Sequence, residues 1–140
     1  MQTLIYKNLF RSELLDKSFM DSIKLFNEHK YKAAYDSFFD LWHDTTSPNR
    51  KLLFQGLVQI SAAMKLLEDR KFNGATKVIR SSLKNLMCFE QITKPFNIRK
   101  LIMDSFDYFE NLDKGIDPIG CDVEIKARPK IALSPGSWSN

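Results

Sequence analysis

Two histidines and two cysteines in 140 residues leave little material for metal or nucleophile chemistry. Cys88 and Cys121 show no CxxC spacing and have no histidine beside them. They read as two buried or indifferent thiols in a reducing compartment rather than as a disulfide or part of a metal site. No Ser–His–Asp set, Cys–His set or glycine-rich phosphate loop can be assembled from the chain, which argues against the common nucleophilic and nucleotide-binding chemistries. No apolar run reaches the length of a transmembrane helix. The opening M-Q-T-L-I-Y-K-N-L-F-R lacks the continuous apolar stretch and cleavage site of a signal peptide. The chain is therefore expected to work in the compartment where it is made.

Hydrophobic content of 44% and charged content of 27% place it among soluble globular domains, and its length suits one domain with a real core. Eleven Phe, two Trp and four Tyr supply the large apolar side chains for that core. Fifteen Lys against six Arg, and eleven Phe against seven Ala, suggest an A/T-rich genome such as an organelle or a low-GC bacterium. The net charge of +4 is unevenly placed: the span 65–100 carries nine basic and three acidic residues, and the span 101–140 carries four basic and seven acidic. Such a distribution either steers a charged partner or is consumed by pairing between helices.

Hydrophobic spacing predicts about five helices. The first runs from about Ser12 to Asn27, with Leu15, Phe19, Ile23 and Phe26 on one face. The second runs from about Tyr31 to Asp44, with Tyr31, Ala34, Tyr35, Phe38, Leu41 and Trp42 as its stripe. Ser47-Pro48 is an N-cap and first-turn pair for a third helix, about Pro48 to Arg70, whose Leu53, Leu57, Ile60, Met64 and Leu67 mark it as central. A fourth spans about Gly74 to Phe89 and a fifth about Phe96 to Asp113, the latter with Ile98, Leu101, Ile102, Phe106, Phe109 and Leu112 inward. Short connections imply antiparallel neighbours. Gly56, inside the third helix, costs about 1 kcal/mol of helix propensity, so a close helix approach there is expected. After Lys114, Gly115, Pro118, Gly120, Pro129, Pro135 and Gly136 punctuate the chain. The expectation is an all-α domain over residues 1–114 and an irregular tail over 115–140 docked on it, fraying at its end unless Trp138 finds a pocket.

Tyr31, Ala34, Leu41 and Trp42, then Q-G-L-V-Q at Gln55–Gln59, then N-G-A at Asn73–Ala75, form a series that resembles the domain-of-unknown-function family three-zero-nine. R-P-K-I at Arg128–Ile131 is similar to the ending of that family's cyanobacterial and plastid branch. With the A/T bias, this implies a plastid-encoded protein of the chloroplast stroma, or a cytoplasmic one if bacterial. The departures matter equally. The family's polar motif has His where this chain has Tyr35, Glu where it has Phe39 and a second His where it has Leu66; only the acidic Asp36 is kept. Phenyl and leucyl groups neither ligate metals nor shuttle protons. The family carries no assigned activity, so the resemblance implies no catalytic residue and no cofactor.

Three constellations remain as candidates. Tyr35, Asp36, Phe39, Trp42 and Gln59 could form a vestigial metal or small-molecule pocket; Gln59, if buried, needs a hydrogen-bond partner, for which Tyr35 or Asp36 would serve. Asp36, Asp40 and His43 share a face of the second helix, but a metal needs ligands from a second element, and a solvated acidic face is the simpler reading. Lys77, Arg80 and Lys84, with Lys71, Lys94, Arg99 and Lys100, could form a basic stripe for an unidentified protein partner or, less simply, for nucleic acid. Pairing with Asp104, Asp107 and Glu110 would neutralise that stripe. His29 is expected at the surface. Helical hairpins of this kind resemble tetratricopeptide-like units, which present protein-binding surfaces. The sequence thus points to a non-catalytic protein-binding or scaffold module, and the apolar surface left by the diverged positions is compatible with a homodimer.

Overall fold

The computed structural model describes residues 17–112 and 119–133. Among them the chain forms α1 (Lys17–Asn27), α2 (Tyr31–Asp44), α3 (Pro48–Glu68), α4 (Phe72–Met87), α5 (Ile98–Leu112) and a short α6 (Asp122–Ala127). No strand forms among the described residues beyond a single antiparallel bridge between Phe96 and Leu133. The all-α bundle expected from the hydrophobic spacing is the fold. The expected start of the first helix at Ser12, and the terminal segment with Trp138, lie outside the described residues.

α3 is the central helix. Ser47 caps it, its Oγ accepting from the Arg50 N–H at 3.4 Å, and Pro48 occupies the first turn. Leu53, Leu57, Ile60 and Met64 are fully buried between α2 and α4, the helices that pack most extensively against α3. Gly56 sits where α3 meets α4: a Cβ built on it would lie 2.7 Å from Leu86 Cδ2. Its carbonyl accepts from Ser82 Oγ at 2.7 Å, so two backbones approach closely and the buried hydroxyl is satisfied. Beneath α1 the core is aromatic. The ring of Phe19 lies 4.9 Å from Phe96, 5.7 Å from Phe54 and 6.2 Å from Phe38, in tilted and edge geometries that favour ring pairs.

The α1–α2 and α3–α4 hairpins share one construction. L-F-N-E-H-K-Y at 25–31 and L-L-E-D-R-K-F at 66–72 both end a helix with a left-handed residue, His29 at φ 64° and Arg70 at φ 59°. In each, the next N–H reaches back five residues, Lys30 to Leu25 O and Lys71 to Leu66 O, both at 2.9 Å. This is a helix-ending bond pattern normally built on glycine. The following helices then start in register, with Ala34 and Ala75 fully buried at matching positions. His29 is consequently half-buried rather than at the surface, because the left-handed turn brings its ring against Tyr31 at 5.8 Å. Burial first, then the nearby charges of Arg128 and Lys130, hold its imidazole below the usual range.

Two differences from the sequence reading stand out. In α5 the buried face is Ile98, Leu101, Ile102, Ser105 and Tyr108; Phe106, expected inward, is 51% exposed because it falls one residue off that stripe. The region expected to be an irregular tail carries α6, after which the R-P-K-I segment lies against the bundle with Arg128, Pro129 and Ile131 buried. Asn97 N–H donates to Ala132 O at 2.9 Å, tying this segment to the loop before α5.

Candidate functional site

The outer face of α4 carries the basic stripe. Ala75, Ile79, Leu83 and Leu86 take the inner face, which leaves Lys77, Arg80 and Lys84 exposed. Elsewhere, helical lysines meet an aspartate four residues along the same helix: Lys17–Asp21 at 3.2 Å, Lys32–Asp36 at 2.9 Å, Lys65–Asp69 at 3.0 Å and Lys100–Asp104 at 2.5 Å. Among the described residues no carboxylate pairs with Lys77, Arg80 or Lys84. Asp104 is taken by Lys100, so the cross-helix neutralisation by α5 does not form there. Arg99 is engaged locally, donating from Nε to Glu90 O at 3.2 Å.

The second constellation is only partly assembled. Tyr35, Phe39 and Trp42 run along α2 with ring centroids 6.2 and 5.4 Å apart. With Gln55 and Val58 of α3 they line a hollow of about 140 Å³, well below the roughly 300–1,000 Å³ of ligand pockets. Lys51 Nζ lies 4.6 Å above the Trp42 ring, a cation–π contact. Asp36 is paired with Lys32. Gln59 does not meet Tyr35 or Asp36; its Oε1 accepts from Asn85 Nδ2 at 2.8 Å across the α3–α4 contact. Asp40 and His43 are exposed, with His43 Nδ1 3.3 Å from Asp44. No group of three or more His, Cys, Asp or Glu among the described residues is arranged to hold a metal ion. Cys88 and Cys121 are both exposed, and Cys88 Sγ donates to Lys84 O at 3.9 Å.

A larger hollow of about 430 Å³ lies between α1 and Leu133, lined by Met20, Ile23 and Lys24 among others. Its polar groups are already engaged: Asp21 with Lys17, Lys24 with Glu28, and Asn27 with the backbone of Ile131. Among the described residues no free polar set converges there to orient a ligand.

The densest polar cluster was not singled out from the sequence. Glu124 of α6, 4% exposed, receives Arg128 Nε at 2.6 Å and Tyr108 Oη at 2.8 Å on one oxygen. The other oxygen receives Arg128 Nη2 at 2.8 Å and Gly120 N–H at 2.9 Å. Gly120 adopts φ 94°, a left-handed conformation suited to glycine, in the turn that presents this N–H. Arg128 also donates from Nη1 to Glu68 Oε2, at the end of α3, at 2.9 Å. Burial alone would raise the Glu124 carboxyl, but the bonds from Arg128, Gly120 and Tyr108 outweigh it and hold the group below the usual carboxylate range. Those bonds, chiefly from Glu124, hold the Arg128 guanidinium charged. Burial first, then the bond to Glu124, push the Tyr108 phenol up. Both Glu124 oxygens are used twice, and the cluster has the form of a structural clamp that fastens α6 to α3 and α5. The only hint in the sequence was the R-P-K-I resemblance, together with the Glu124–Arg128 spacing of four.

Residues 19–78, from α1 into α4, match the family model described as Domain of unknown function (DUF309), which supports the resemblance seen in the sequence. No curated protein and no solved structure matches the chain. No helix among the described residues is long and apolar enough to cross a membrane.

Proposed function

We propose that this chain is a non-catalytic protein-binding module of the plastid stroma, and that the outer face of α4 is its contact surface. The observation that supports the reading is that no carboxylate among the described residues pairs with Lys77, Arg80 or Lys84. Cations held exposed on a rigid helix and not paired with a carboxylate of the described residues give a directed positive field that favours an acidic partner. Two matching helical hairpins supply the rigid frame, an analogy of fold to repeat units that bind proteins. Three polar side chains that could support chemistry already have partners: Gln59 pairs with Asn85, Asp36 with Lys32, and Glu124 with the clamp.

The test is charge reversal. The variant Arg80→Glu/Lys84→Glu changes exposed side chains only, so its stability is expected within about 0.5 kcal/mol of the parent. A protein that co-purifies gently with the parent is expected to be lost from the variant. Retention of that protein overturns the reading. So does finding that the bound material is nucleic acid, released with the steep salt dependence of counterion release.

A further inference from the structure

The two hairpins align residue for residue through their shared turn, and this sets the outer face of α2 beside that of α4 for comparison. Where α4 carries Lys77, Arg80 and Lys84, α2 carries Asp36, Phe39 and His43. Asp40 and Asp44 extend the acidic face, and all five α2 residues are exposed. The chain thus presents two helical faces of one construction and opposite charge. Each also offers exposed apolar area: Phe39 on α2 is 41% exposed and Met87 at the end of α4 is 49% exposed.

We infer that the acidic face of α2 on a second copy of this chain is a partner of the basic face of α4, so that the protein self-associates. The inference rests on reading the α4 face as a binding surface and names an occupant for it. Spacing supports the match. Asp36, Asp40 and Asp44 span about 12 Å of helix, and Lys77, Arg80 and Lys84 about 10.5 Å, at 1.5 Å per residue. Laid antiparallel, Asp44 meets Lys77, Asp40 meets Arg80 and Asp36 meets Lys84, with the Phe39 ring within reach of the Arg80 guanidinium. The internal bond that competes, Lys32–Asp36, joins two mostly exposed groups and is a weak competitor. Among the described residues, none pairs with Asp40. Every copy carries both faces, so two copies can satisfy each other twice, or a chain of copies can form if the contacts do not close.

Sedimentation of the purified chain tests this. The parent is expected to show a mass that rises with concentration at low salt and falls back towards the monomer at high salt. Asp36→Lys/Asp40→Lys makes both faces basic, and Lys77→Glu/Arg80→Glu makes both acidic. Each variant alone is expected to weaken association more than about tenfold, while circular dichroism shows the helices intact. An equimolar mixture of the two is expected to associate again, because every basic face then meets an acidic one. A parent that stays monomeric at all concentrations overturns the inference, as does a mixture that fails to associate. A monomeric parent that still loses a foreign partner on Arg80→Glu/Lys84→Glu would overturn self-association alone and leave the proposed function standing. Association undiminished in Lys77→Glu/Arg80→Glu would count against the α4 surface itself.

Discussion

Asn27 and Glu68 occupy the same place in two hairpins, each the last residue of its helix before the same left-handed turn, and both grip the C-terminal segment. Asn27 pairs with Ile131 as one strand residue pairs with another, its Nδ2 donating to the carbonyl at 2.9 Å and its Oδ1 accepting from the N–H at 2.8 Å. Glu68 receives Arg128. The segment is thereby fastened to both hairpins at once. Asn27→Ala is expected to cost about 1–3 kcal/mol, since both backbone groups of Ile131 lose their partners. Hydrogen exchange at the Ile131 amide is expected to accelerate while α3 amides near Ile60 keep their relative order of protection.

Arg128 is the centre of the clamp. Its side chain is 6% exposed and joins Glu124, 1% exposed, to Glu68. Arg128→Ala would leave the Glu124 carboxylate buried without its cation, and removing one partner of a buried pair costs about 3–5 kcal/mol. Arg128→Lys is expected to recover only part of this, because an ammonium cannot reproduce the two-pronged contact with the carboxylate. Urea unfolding of the three proteins gives the comparison. Equal stability of parent and alanine variant would contradict the clamp.

The clamp also predicts how stability depends on pH. Glu124 is held below its usual range in the folded state, so its contribution is present above the unfolded value of about 4.3. That contribution is lost as pH falls through the lower folded value. At the alkaline end the sign reverses. Burial raises both Tyr31 and Tyr108, so their contribution is present below the unfolded phenol value of about 10 and is lost as pH rises past it. Thermal melts across pH are expected to fall at both ends. Glu124→Gln is expected to lower the plateau and flatten the acid limb, and Tyr108→Phe to flatten the alkaline one.

Gly56 tests the packing of α3 on α4. In an exposed helix, alanine for glycine would gain about 1 kcal/mol. Here the added methyl would meet Leu86 Cδ2 at 2.7 Å and Cγ at 2.8 Å. Overpacking of this kind costs about 1–3 kcal/mol. Gly56→Ala is therefore expected to destabilise by up to about 2 kcal/mol in chemical denaturation, and Gly56→Val by more.

The legible parts of this fold are those written locally. Ser47-Pro48 announced the start of α3, the spacing of Leu53, Leu57, Ile60 and Met64 gave its buried face, and Gly56 marked the close contact with α4. What escaped depends on residues far apart in the chain. α6 shows no apolar anchor, since Val123 is 79% exposed and the group it buries is Glu124. A buried charge makes sense only once Arg128, Tyr108 and Glu68 are beside it, and nothing near Glu124 in sequence says that α3 will end there. Gln59 was legible as a polar group needing a partner, but the partner, Asn85, lies on the helix opposite to the one expected. The candidate basic face was visible because Lys77, Arg80 and Lys84 share a helical period. That no carboxylate among the described residues reaches them is a three-dimensional fact.

The most direct test of the α4 face is zero-length cross-linking of the gently purified protein, followed by mass spectrometry. Such coupling joins an ammonium and a carboxylate only where they touch. Intermolecular links are expected to concentrate on Lys77 and Lys84 and to end on acidic residues of another polypeptide, whether a foreign protein or Asp36, Asp40 and Asp44 of a second copy. Intermolecular links that cluster instead on Lys94 and Lys126, with Lys77 and Lys84 unmodified, would contradict the α4 face as the contact surface.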